Sequence, residues 1–414
     1  MAMGGVAFDA LACGPDALAG NPAALARPCE SPRRLILLPT VGIEALDNGA
    51  GGEVWRHRRQ LRDALDEESF IDAFGSDEFE RILGAIPGEG WVHRVRTHLP
   101  VVQTAVGQRS ALSLSVSLES RGSIARDLAE LALRGHEEGR TSYRLEGTSQ
   151  ETTGYWTLAF GRGGRLMGTD VGVTARLIGG GAFSRWHAVD PVVDEAEELV
   201  TGLMVGASPG ERFVGLSPSD GWGWGMDVGL MRDLGPARLG LALQNVVGTM
   251  SWPEETLLRI MTLEGTVDGL EFSSEDEMYD PATMLPPDPR AQVAEALRES
   301  PQFPRRLRAS ATMAPLPMLV LAAGADVVMG DGNLDRGWDR RFSLGSELRP
   351  LRFLRFHGGL SSDLDGASEV AGGLELDLLR FRLGVAGARV SEAGREAGWK
   401  SMEGWRLVAG ISRF

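Results

Sequence analysis

A chain of 414 residues with a formal net charge of -15 has room for two or three globular domains or one large barrel. It carries a single lysine, Lys400, and no basic tract, which argues against a nucleic-acid partner. No run of about 18 apolar residues occurs, so no transmembrane helix is expected, and the 55 glycines suit turns and close strand packing better than helices.

Residues 1–30 are small, Gly/Ala-rich and broken by proline. Asp16 and Asn21 each precede a short Ala/Leu run, as helix caps do, which predicts a compact element of one or two helical turns. Cys13 and Cys29 are the only cysteines; pairing in an oxidising compartment and two free thiols are both open readings. The chain opens without a basic n-region or an apolar h-region, so an export signal, if the protein is exported, is expected upstream of Met1 or already removed.

Arg33–Leu46 reads as a first strand. Residues 56–90 read as a helical insertion: Leu61, Leu65, Phe70, Phe74, Phe79, Ile82 and Leu83 recur at three- and four-residue spacing, and Pro87-Gly88 ends the run. Strands resume near His93. Leu112, Leu114, Val116 and Leu118 alternate with serines and Glu119, and a short helix follows at 124–133. Tyr143–Arg162 and Gly168–His187 make the next pair. Residues 188–221 read as a loop, 222–232 and 236–247 as a hairpin, and 250–304 as a long acidic, Pro-rich insertion with amphipathic helical character.

The clearest pattern lies from Arg305 to Phe414. Apolar and polar side chains alternate over segments of about ten residues: Phe342, Leu344 and Leu348 oppose Arg341, Ser343 and Glu347, and Phe356 and Leu360 oppose Arg355, His357 and Ser361. One parity holds medium-sized aliphatics, the other small residues mixed with Arg, Glu and His, which suits a wall with lipid outside and a wet or plugged interior. Fourteen strands are predicted, starting near 33, 93, 110, 143, 168, 222, 236, 305, 317, 340, 353, 368, 380 and 404, with short and long connections in strict alternation. An even count with short turns at one end describes a closed antiparallel transmembrane β-barrel. The predicted fold is therefore an all-β membrane protein; a soluble β-rich protein is the weaker alternative. The last strand ends in Phe414, whose parity matches Gly410 and Ser412 rather than Trp405, Leu407 and Ile411, so the terminal aromatic signal is partial and a bulge could shift the register.

Two stretches carry a resemblance. The run AMGGVAF, followed by Asp16 and by Asn21-Pro22-Ala23-Ala24-Leu25, resembles the mature N-terminus of the FadL-type long-chain fatty-acid channels and of the related PorV-type and TraF-like outer-membrane proteins. Asp227, Gly229, Asn245 and Trp252 stand where those families have a Gly-Asp-Gly-type strand paired with one ending in Asn and followed by Trp. The resemblance implies a fourteen-stranded barrel in the bacterial outer membrane. It further implies a domain split of 1–30 as a hatch inside the lumen and 31–414 as the barrel, with helical loop insertions at 56–90 and 250–304.

Signals for catalysis or metal binding are poor. Six scattered histidines lack metal-ligand spacing, and no nucleophile elbow or phosphate loop is complete. Asp331-Gly332-Asn333-Leu334-Asp335 has the oxygen spacing of a calcium loop but has Arg336 and Phe342 at the sixth and twelfth positions, so it reads as a solvated loop. No cofactor and no enzymatic activity are expected. The candidate residues are those of a conduit. Gly4, Gly5, Phe8, Leu11, Leu18, Asn21, Pro22 and Leu25 would form the hatch and a greasy pocket beside it. Arg176, Arg238, Arg308, Arg341, Arg355 and Arg382, with Glu119 and Glu347, would line the lumen. Those charges make either a ladder of ion pairs or a polar path that can anchor a carboxylate headgroup. Two functional readings follow from the resemblance: a channel for hydrophobic, fatty-acid-like molecules, or a docking component of a secretion or conjugation system with a closed lumen.

Overall fold

In the computed structural model the described residues are 12, 14–27, 35–56, 76–88, 90–134, 140, 143, 147–193, 200–208, 221–252, 256–266, 269–279, 302–330, 332, 334, 337–378, 381–392 and 402–413. They hold seventeen strands: β1 Leu35–Asp47, β2 Trp91–Ala105, β3 Ser110–Ile124, β4 Ser149–Leu166, β5 Thr169–Val193, β6 Val200–Ser208, β7 Trp222–Leu234, β8 Ala237–Ser251, β9 Thr256–Thr266, β10 Gly269–Tyr279, β11 Arg305–Leu316, β12 Leu319–Met329, β13 Arg340–Leu351, β14 Leu354–Ser362, β15 Ser368–Leu378, β16 Phe381–Glu392 and β17 Met402–Arg413. Fourteen of them close an antiparallel ring. The order runs β1 to β5, then β7, β8 and β11 to β17, and β1 returns to pair with β17.

Alternation explains the ring. On β13, Phe342, Leu344 and Leu348 are exposed to the outside while Ser343 and Glu347 are buried inside. On β17, Trp405 and Leu407 stay 62% and 59% exposed in a folded chain, which only a lipid surface tolerates around a whole circumference. Val116, Leu118, Val173, Leu230, Leu241, Leu307, Leu360 and Val385 continue this belt. Outside aromatics join it, and Trp156 meets Trp222 edge-on at 5.9 Å. The molecule is a transmembrane barrel. The connections β2–β3, β4–β5, β7–β8, β11–β12, β13–β14 and β15–β16 are all short and lie at one end, the periplasmic end by the general rule for such barrels.

The remaining strands correct the reading of 188–221 and 250–304. β5 runs on to Val193 and pairs with β6, β6 pairs with β9, and β9 with β10, so a small sheet continues from the wall beyond the long-loop rim. β5 has 25 residues, whereas about 9–11 cross a bilayer, so its outer half stands clear of the membrane. The 250–304 insertion is extended, not helical, over 256–266 and 269–279. A Thr- and Leu-bearing run, 256–266, and a second run, 269–279, meet at an Asp268-Gly269 hairpin signal, and turn chemistry with tertiary pairing prevails over the apparent amphipathic spacing.

Helices sit in the loops beyond the same rim. α1 (Gly51–Arg56) starts before the predicted insertion, α2 (Ser76–Ala85) carries Phe79, Ile82 and Leu83, and α3 (Arg126–Arg134) matches the predicted short helix. Leu61, Leu65, Phe70 and Phe74 lie outside the described residues. Ala50, Ile82, Leu83, Ile86 and Ala129 pack into one small core that ties the three helices together. β4 begins at Ser149, not Tyr143; Tyr143 is buried against Leu131. β17 pairs with β16 from Met402 to Arg413 without a register shift, whereas its pairing with β1 shifts twice between Leu35 and Val41; Phe414 lies outside the described residues.

Candidate functional site in the bore

The N-terminal segment occupies the periplasmic end of the bore on one side. Two short 3-10 helices, Gly14–Leu18 and Pro22–Ala26, bury Ala17, Leu18, Ala23, Ala24 and Leu25 against Ala111, Ala159 and Met231 of the inner wall. Asn21 caps the second helix: its Oδ1 accepts from the Ala23 amide at 3.0 Å, and Pro22 supplies the preset first residue. Asp16, read as a cap, instead lies inside the first helix. The Asn21 amide also donates to two wall carbonyls, Leu230 at 3.1 Å and Leu241 at 3.2 Å. Wall side chains hold the neighbouring backbone, since Gln244 and Arg308 each donate to the Ala19 carbonyl at 3.0 Å. Arg27 closes the segment with ion pairs to Asp170 at 2.5 Å and Asp233 at 3.1 Å.

The wall is cleared to receive this segment. A Cβ added at Gly172 would fall 2.1 Å from the Pro22 carbonyl oxygen, and one at Gly229 2.0 Å from Asn21 Oδ1. No side chain fits there. Outside the same stretch of wall is an apolar depression of about 610 Å³ faced by Leu230, Leu239, Leu241, Ala309 and Ala325. Of the expected pocket residues, Leu18, Asn21, Pro22 and Leu25 are buried in the bore. Gly4, Gly5, Phe8 and Leu11 lie outside the described residues, as do both cysteines.

The Asp227 and Asn245 positions of the resemblance meet in space. Pairing of β7 with β8 jumps from Met226↔Val247 to Val228↔Leu243, leaving Asp227 opposite a bulge. Asn245 there has φ 53°, a left-handed conformation that Asn accepts more readily than most residues. Asp227 accepts from the Asn245 amide at 2.8 Å and from Arg176 at 2.6 Å, and Asn245 Nδ2 donates to the Pro304 carbonyl at 2.8 Å. Beyond the bulge β8 parts from β11, and Gln302 takes the vacant pairing: its Oε1 accepts from the Met250 amide and its Nε2 donates to the Met250 carbonyl. Trp252 packs on Phe183 with ring centroids 5.4 Å apart.

The expected lumen charges all turn inward or to the periplasmic edge, and each has a counter-ion. Arg308 pairs with Asp326 at 3.0 Å, Arg341 with Glu369 at 2.7 Å, and Arg238 with Asp233 at 3.0 Å. Arg355 and Arg382 share Asp377, Glu347 pairs with Arg349, and Glu119 pairs with Arg96 at 2.8 Å. The outer half of the bore holds a larger network that the sequence reading did not single out. Glu44 accepts from Arg94 at 3.0 Å and from Arg406, Arg406 reaches Glu369 at 2.9 Å, and Arg94 reaches Glu392 at 2.6 Å. The signal was present: all of these residues fall on the polar parity of their strands.

One sector of the outer bore is apolar. Ile178 and Met250 are buried there beside Tyr155, Trp252 and Phe303, and Tyr155 meets Phe303 edge-on at 5.1 Å. Leu334 completes this cluster. The loop read as solvated therefore turns into the bore at Leu334, while Asp331, Asn333 and Asp335 lie outside the described residues. No group of acidic, His or Cys side chains suited to a metal occurs among the described residues.

No protein-family model matches the chain, and comparison with curated proteins finds no match. Solved structures do match. The toluene transporter TbuX of Ralstonia pickettii aligns with TM-score 0.54 at 14% identity over 100% of this chain and 96% of its own. The toluene transporter TodX of Pseudomonas putida aligns with TM-score 0.53 at 13% identity over 100% and 96%. A TodX variant described as a monoaromatic hydrocarbon channel gives 0.56 at 14% over 97% and 94%. Matches of this length at such low identity are matches of fold, and the chain has the fold of these fourteen-stranded outer-membrane channels from its first strand to its last.

Proposed function

We propose that the protein is an outer-membrane channel for hydrophobic small molecules. The observation that carries this reading is the apolar, aromatic sector of Ile178, Met250, Tyr155, Trp252 and Phe303, which faces a second apolar cluster of Leu46, Val92, Val390 and Met402 across a bore whose remaining lining is rich in ion pairs. An apolar solute crossing a charged bore finds a foothold at the partly exposed rim of this cluster, on Tyr155, Trp252 and Phe303. The full-length likeness of fold to hydrocarbon channels supports the same reading. Residues 14–27 act as a hatch that closes one side of the periplasmic end, seated on Gly172 and Gly229. The charged side chains mainly brace the wall, because each is matched by a counter-ion at close range.

The test is uptake. Cells lacking their own hydrophobic-compound channels and producing this protein should accumulate radiolabelled toluene or a long-chain fatty acid faster than cells with an empty outer membrane. Tyr155→Ala together with Phe303→Ala should lower that rate while leaving a folded, heat-modifiable barrel. Equal uptake with and without the protein sinks the channel reading, and a stably co-purifying protein in that case turns attention to a docking role.

A further inference from the structure

Within the connection between β12 and β13, the described residues Leu334, Gly337 and Trp338 stand inside the outer end of the bore. Leu334 is buried on the sector of β5 and β8, against Ile178 and Met250. Four residues later, Trp338 packs on the far sector, against a cluster that includes Leu46, Val92, Val390 and Met402 of β1, β2, β16 and β17. Between them lies Gly337, in the left-handed region at φ 58°. A Cβ built on Gly337 would lie 3.9 Å from Arg306 Nη2 and 3.9 Å from Arg96 Nη1. Those arginines belong to β11 and β2, which stand on nearly opposite sides of the ring. Arginines from two facing walls thus converge on one backbone position.

Trp338 is fixed there by more than packing. Its indole N–H donates to Glu392 Oε1 at 2.7 Å. The Arg341 guanidinium lies over its ring, 4.8 Å from the centroid, a favourable cation–π distance. Glu392 is itself held by Arg94. The ring is consequently clamped on one face and at its edge.

We infer that Trp338 is the residue that sets the aperture of the bore, with its hydrogen bond to Glu392 as the latch that keeps this segment in place. The inference rests on the channel reading and adds a selectivity point to it. A solute entering the bore from the long-loop end meets this segment before it reaches the periplasmic half. An apolar solute slides along indole and aliphatic surface, whereas a hydrated ion meets an indole where it needs water.

Single-channel conductance in planar bilayers and toluene uptake, measured on the full chain, test this together. Trp338→Ala should raise conductance to small ions severalfold. Trp338→Phe keeps most of the ring but loses the indole N–H; it should give a smaller rise and frequent open–closed transitions. Leu334→Ala releases the opposite anchor and carries the same expectation if Trp338→Ala does not fold. Wild-type conductance in folded Trp338→Ala, or in Leu334→Ala where it takes that variant's place, overturns the aperture, even if toluene uptake is intact. Raised conductance with no toluene uptake by the wild type leaves the aperture standing and removes the hydrophobic-channel reading instead.

Discussion

The two sides of the periplasmic half of the bore are filled in different ways. Along β3–β5, β7 and β8 the inner wall under residues 14–27 is largely glycine and alanine, and that segment fills the space. Along β13–β16 no such segment is seen among the described residues, and the strands' own Arg355, Arg382, Glu375, Asp377, His357 and Glu347 occupy the interior. The first solution places apolar surface and backbone carbonyls against the wall and is separable from it. The second is built into the wall and is not. A barrel of this size has to fill or wet its bore, and this one does so asymmetrically.

The built-in charges continue along the same strands into the outer half of the bore, and removing a buried counter-ion there should break the wall most severely. Glu369, 1% exposed, takes bonds from both Arg341 and Arg406, so Glu369→Ala should cost about 3–5 kcal/mol by leaving cations underpaired. A guanidinium unfolding midpoint in detergent measures it. Gly172→Val attacks the other side, placing a branched side chain where the Pro22 carbonyl sits. It should cost roughly 1–3 kcal/mol and unseat residues 14–27 while the ring survives. Hydrogen exchange confined to that segment would show it, and loss of the whole barrel would make the segment part of the wall instead. Asn21→Ala is gentler: it removes a cap and two bonds to wall carbonyls, for about 1–2 kcal/mol, read as faster exchange of residues 22–26. The smallest change belongs to the exposed pair Arg389–Glu403 at the long-loop rim of the outward face, where Arg389→Ala should shift the midpoint by no more than about 0.5 kcal/mol.

The ring was legible because a lipid-facing wall imposes a period of two and short turns on every other connection. Segments such as Phe342–Leu348 carry that imprint residue by residue. The sheet beyond the rim was not, since Thr256–Thr266 mixes apolar residues on both parities and lacks the contrast that lipid enforces. The class of the inner charges could be read from parity. Their partners could not, because Arg94–Glu392 and Glu44–Arg406 join strands from opposite ends of the chain. The seat of residues 14–27 was hidden for a related reason: Gly172 and Gly229 look like any strand glycine until the N-terminus is laid over them. Leu334 and Trp338 sit in a polar run whose composition suggests water, and only the fold turns them inward.

The seam of the ring joins β1 to β17, with Leu35 opposite Arg413. Two strands far apart in sequence are thus mated, and one edge of β1 has no final partner until β17 reaches it. Until then the growing sheet carries two raw borders and a hydrocarbon-loving face, the combination most prone to clumping. The rate of closure is then set by how quickly β1 and β17 find each other.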